Sequence, residues 1–166
     1  GGHCHAAIDV IEAEAQYRIV GVVLPPGDNS GPVLDYPIVG SDDDLAVLLA
    51  ETPRALITVG HIKSPATRMR LFDWIKDHSA ELPVVRSPRA YCSRRAIIGE
   101  GSILMHDSLI NANTEIGVNC IVNSQALIEH DVEVGGHCHI STGARVNGSV
   151  RVGTGCFIGS GAILKE

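Results

Sequence analysis

The stretch that decides the fold is Ile116-Gly117-Val118-Asn119-Cys120-Ile121-Val122-Asn123-Ser124-Gln125-Ala126-Leu127-Ile128-Glu129-His130-Asp131-Val132-Glu133-Val134. An aliphatic residue returns every sixth place, and a small one precedes it by two. The pattern runs outward in both directions. Stepping by six from Ile98 meets Leu104, Ile110, Ile116, Val122, Ile128, Val134, Ile140, Val146, Val152, Ile158 and Leu164. Stepping from Ala96 meets Ser102, Ser108, Thr114, Cys120, Ala126, Val132, Cys138, Ala144, Val150, Cys156 and Ala162, none larger than Val. With about a third of residues aliphatic, twelve in register arise by chance on the order of once in several hundred thousand. A period of six repeated this often predicts a parallel β-solenoid.

Each hexad then supplies a short extended segment and a corner. Three hexads close a triangular coil, so residues 18 apart stack at about 4.8 Å, the strand spacing. The pattern predicts four coils over residues 96–166, with the aliphatic column inside. Gly or Asn follows the aliphatic at Gly99, Asn111, Gly117, Asn123, Gly135, Asn147, Gly153 and Gly159, and these are read as the residues that take special turn angles. Cys120, Cys138 and Cys156 fall 18 apart and are read as interior filler.

Residues 1–88 alternate helix and strand signals, which implies a small parallel sheet with helices, an α/β domain of Rossmann-like kind. Helices are expected over 5–15, 42–51 and 64–78. Buried strands are expected over 17–24, 54–60 and 82–85. Gly1-Gly2-His3 stands directly before the first helix, where a Gly-rich turn would present backbone N–H groups to a phosphate. Ser87-Pro88-Arg89 marks the boundary, so the domains read as 1–88, a nucleotide-sugar-binding βαβ unit lacking its first strand, and 89–166, the solenoid. Both ends read as cut in mid-pattern.

Composition narrows the functional class. The formal charge is −6, which disfavours a nucleic-acid-backbone binder. No apolar run reaches the ~20 residues that span a bilayer. Five cysteines without short-range pairing point to a reducing cytoplasm rather than a disulfide framework.

The chemistry sits around Glu129-His130-Asp131. His130 lies two places past an interior Ile and so projects at a corner. Asp131 beside it can orient the imidazole and raise its basicity. Gly148 is 18 residues on, one coil above, and its bare N–H over the histidine makes a pocket for a reacting carbonyl. His106 and His137 read as surface residues.

The two halves together resemble the hexapeptide-repeat nucleotide-sugar acetyltransferases. That family includes the UDP-4-amino-sugar N-acetyltransferase of bacillosamine synthesis and the sialic-acid O-acetyltransferases. The residues that carry the resemblance are Gly1-Gly2-His3-Cys4, Tyr36 to Ser41, and Asn123 to His139. The resemblance implies a left-handed β-helix, a homotrimer with active sites between chains, and direct acetyl transfer from acetyl-CoA to the amine of a nucleotide-linked 4-amino sugar, with no metal. It implies that His130 is the general base, Asp131 its orienting acid and Gly148 the oxyanion donor. Asn123, Gly2 and His3 would bind substrate. His139 would contact acetyl-CoA, with Gly148 beside it. One departure is plain: the acidic pair of UDP-sugar binders is replaced by Pro25-Pro26. Three other readings stand beside it: O-acetylation of a sialic-acid-like sugar, a γ-type carbonic anhydrase, and a non-catalytic solenoid module. No His-x4-His spacing supports the carbonic anhydrase.

Overall fold

The computed structural model describes residues 1–166. Its second half is a triangular prism built from fourteen two-residue strands, β3 (Val85–Arg86) through β16 (Ile163–Leu164). All pair in parallel, and partners such as Leu127 and Arg145 lie 18 residues apart. The strands form three sheets. The first face carries Val85, Ile103, Ile121, His139 and Phe157 outward, the second Tyr91, Leu109, Leu127, Arg145 and Ile163, and the third Ile97, Glu115, Glu133 and Arg151. Leu104 to Val152 of the aliphatic column are buried, with Ile98, Ile158 and Leu164 half-buried at the ends. The coil begins a little earlier than the aliphatic column, because β3 and Tyr91–Cys92 already pair with the strands above them. Arg86 and Cys92 hold the column's place there, which hides those hexads from a search for aliphatics.

The small column has a second use. Ser102, Thr114, Cys120 and Cys138 each donate a side-chain hydrogen bond to the carbonyl 15 residues on. The thiols of Cys120 and Cys138 are thus buried, satisfied donors, and the hydrogen bond with Cys138, then burial, push the Cys120 thiol up.

The turn chemistry differs from the sequence expectation. The left-handed residues recur every six as Gly101, Asp107, Asn113, Asn119, Gln125, Asp131, His137, Gly143, Ser149, Gly155 and Gly161, three places after the aliphatic rather than one. Asn and Asp tolerate this region better than most residues. The glycines directly after the aliphatic serve close approach instead. A Cβ at Gly117 would lie 2.5 Å from the Gly136 nitrogen, and one at Gly135 would lie 2.6 Å from that of Thr154. Asn111 and Asn123 turn their side-chain oxygens onto the next backbone N–H.

The first half is less regular than expected. Helix α1 is Gly2–Glu14 and a two-stranded parallel sheet joins β1 (Val22–Leu24) to β2 (Ile38–Ser41). A 3-10 turn over Asp42–Asp44, capped by Ser41, leads into α2 (Leu45–Glu51), and α3 is Ala66–Asp77. Residues 54–60 are not a strand: beyond a single bridge from Arg54 to Glu81 they pair with nothing. Arg68 explains this. Its buried guanidinium takes the carbonyls of Ile57 and Val59, each at 2.7 Å, so a side chain replaces the sheet partner. Val85 belongs to the solenoid rather than to an N-terminal sheet. Ala7, Val10 and Ile11 of α1 pack on Val85, Ile103, Met105 and Ile121, which covers the first face.

Candidate active site

The corner between the second and third faces holds His130. Its Nδ1–H donates to Asp131 Oδ2 at 2.8 Å, which leaves Nε2 as the free lone pair. Asp131 sits at φ 60°, a corner geometry that aims its carboxylate at the neighbouring ring. Asn113, 18 residues earlier, donates to the other oxygen, Asp131 Oδ1, at 2.7 Å. The hydrogen bond to Asp131 raises the His130 pKa above its ordinary value, helped by the charges of Asp131, Glu129 and Glu166. Asn113 and then His130 hold the Asp131 carboxyl below its ordinary value. The histidine side chain is 60% exposed, so a substrate can reach it.

Gly148 lies over the ring as the 18-residue spacing predicts. A Cβ there would meet His130 Cε1 at 2.8 Å and Nε2 at 3.0 Å. No group of the chain accepts its N–H. The base, its orienting acid and a free backbone donor therefore share one corner. Asn113 was not picked out from sequence, although counting 18 back from Asp131 finds it.

The other predicted residues lie elsewhere on the same chain. His139 faces outward on the first face, beneath the N-terminal half. Its Nδ1–H donates to the His61 carbonyl at 2.9 Å, and its Nε2 accepts from Asn123 Nδ2 at 3.2 Å. Burial holds its pKa below the usual value, so it is a neutral imidazole in a fixed tautomer. His3 is in the first turn of α1, its ring 6.3 Å from that of His139. Burial, Arg68 and His139 push its pKa down to about 4. Gly2 is exposed, with nothing within 4 Å of its Cβ position. The structure thus brings together Asn123, His139 and His3 in one group and His130, Asp131 and Gly148 in another.

Two histidines read as surface residues are not. His137 is buried against Asn119 Nδ2 and the ring of Phe72. His106 bridges Asp9 of α1 and Ser87 at the base of the coil. Neither contact is visible in a local pattern, because each joins segments far apart in sequence. After β1, Pro25 and Pro26 are exposed, and Asp28 Oδ1 accepts from the Ser30 N–H and hydroxyl.

No family model matches the chain, and no curated protein does. Solved structures do. PerB from Caulobacter crescentus, in complex with CoA and GDP-perosamine, superposes with a TM-score of 0.82 at 26% identity, over 99% of this chain and 85% of its own. The acetyltransferase domain of PglB from Neisseria gonorrhoeae matches with a TM-score of 0.80 at 26% identity, over 99% and 87%. The chain is thus similar in fold and sequence to hexapeptide-repeat nucleotide-sugar acetyltransferases. Its prism is accordingly the left-handed parallel β-helix of acetyltransferases. WeeI from Acinetobacter baumannii shares the fold at 14% identity, with a TM-score of 0.55 over 93% of this chain and 85% of its own. No helix of the chain is long and apolar enough to cross a membrane.

Proposed function

We propose that the enzyme transfers the acetyl group of acetyl-CoA directly to the amine of a nucleotide-linked amino sugar. The observation that carries this reading is the His130–Asp131 pair with the unpartnered Gly148 N–H above it. His130 Nε2 removes the proton from the amine as nitrogen attacks the thioester carbonyl. The imidazolium that forms is stabilised by the Asp131 carboxylate. The oxygen that gains charge is met by the Gly148 N–H. Collapse expels the CoA thiolate, and the proton held on His130 can return to it. No covalent enzyme intermediate is needed, and the residues of the corner require no metal for these steps.

Of the remaining group, His139 serves acetyl-CoA, and Asn123, Gly2 and His3 serve the nucleotide sugar. Because they lie at the first face, away from the corner that holds His130, the full site forms between chains of a homotrimer. The second face suits such contact: Tyr91 is 59% and Ile163 68% exposed, with Leu109 and Leu127 half-buried between them. Five unpaired cysteines suit a reducing compartment, and we assign the enzyme to the cytoplasm. Pro25-Pro26 alters the recognition of the nucleoside. The test is turnover of acetyl-CoA against UDP-, GDP- and dTDP-4-amino sugars. Acetylation of the amine of at least one is expected, and none with any of them would refute the assignment.

A further inference from the structure

The His3–His139 group contains a residue that nothing so far has used. His61 is only 7% exposed, yet neither of its ring nitrogens makes a hydrogen bond of ordinary geometry, the Cys156 backbone being only a weak neighbour. Its ring lies 5.7 Å from that of His139 and 6.5 Å from that of Phe157, both edge-on. Nε2 of His3 is likewise buried and unpartnered. A buried polar atom left without a partner costs about 1–3 kcal/mol, and such atoms mark packing faults or groups awaiting a ligand. Here three of them belong to the two rings that lie within 6.3 Å of His139.

The segment that carries His61 is built to yield. From Gly60 to Ser64 no backbone N–H makes a backbone hydrogen bond. The segment is held by Arg68 on the Val59 carbonyl and by His139 on the His61 carbonyl. Ile62, its next residue, is 71% exposed. Segments with few buried contacts open at little cost.

We propose that His61 is a substrate-contacting residue, whose ring nitrogens, with Nε2 of His3, receive hydroxyl groups of the acceptor sugar when the 59–64 segment shifts. This rests on the function proposed above. The chemistry of the pocket selects the ligand group. A neutral imidazole offers one donor and one acceptor, and a hydroxyl offers the same pair. An ammonium is disfavoured, because Arg68 is a buried cation whose terminal nitrogens contact only carbonyl oxygens, with no carboxylate among its partners. A phosphate would need more donors than these rings supply. The edge of Phe157 offers an apolar surface to sugar C–H groups.

His61→Phe tests this, since it keeps the ring and removes both nitrogens. KM for the nucleotide amino sugar should rise roughly 10- to 100-fold, the worth of buried hydrogen bonds. KM for acetyl-CoA should stay within about twofold, and Tm should hold or rise, because the orphaned nitrogens are gone. An unchanged sugar KM overturns the proposal and leaves His61 a packing fault. The unaltered enzyme gives a second reading through imidazole nitrogen NMR. The His61 signals should move on adding the nucleotide amino sugar and stay on adding CoA; if neither moves them, the proposal fails. Absence of turnover by the unaltered enzyme is a separate result, and it refutes the proposed function together with this extension.

Discussion

Replacing Gly148 by alanine separates the catalytic role of this glycine from a structural one. The backbone accepts the change, since Gly148 does not lie in the left-handed region. The new methyl would sit 2.8 Å from His130 Cε1 and 3.0 Å from Nε2. Carbon atoms prefer about 3.5 Å or more, so the ring must move by about 0.7 Å or swing away. It can, because the side chain is 60% exposed. Folding should therefore change by less than ~0.5 kcal/mol, as for most surface substitutions. The N–H is untouched, so what is lost is the position of the base. Misplacement near 1 Å costs on the order of 10²-fold, and kcat/KM should fall by roughly that much. Steady-state kinetics paired with thermal unfolding measures both. Full activity would show that His130 does not work from beneath Gly148. A large fall in Tm together with activity would show that the glycine is structural.

Three further outcomes are expected. Gly135→Ala puts a methyl 2.6 Å from the Thr154 nitrogen, whereas Gly153→Ala meets nothing nearer than Cys156 Sγ at 3.9 Å; urea unfolding should show the first losing about 1–3 kcal/mol and the second almost nothing. Asp131→Asn removes the largest cause of the raised His130 pKa; since the neutral base is the active form, the acid limb of the kcat/KM–pH profile should shift to lower pH while the maximum falls, and an unmoved limb would refute the assignment of that limb to His130. His139→Ala should raise KM for acetyl-CoA more than it lowers kcat; a pure kcat loss would move His139 to the chemical step.

The solenoid was legible because its core is a one-dimensional stack, and a constant period maps directly onto it. The same count of 18 placed Gly148 over His130 and would have found Asn113. What failed to show were features set by packing between distant segments. Residues 54–60 are apolar like a strand, yet Arg68, some ten residues on, takes their carbonyls. His61 has no motif around it, and its importance comes from His139 and Phe157 on the first face. The corner angles were assigned to the wrong place because Gly serves two purposes. After the aliphatic it permits close approach, and three places on it permits positive φ.

The central claim is that His130 deprotonates the acceptor amine during direct transfer. The most direct measurement is kcat/KM for acetylation by His130→Ala, with the nucleotide amino sugar that the unaltered enzyme uses best and acetyl-CoA affinity followed in parallel. A fall of roughly 10²–10⁴-fold, with acetyl-CoA binding retained, is the predicted result. Turnover near that of the unaltered enzyme at saturating sugar would contradict it.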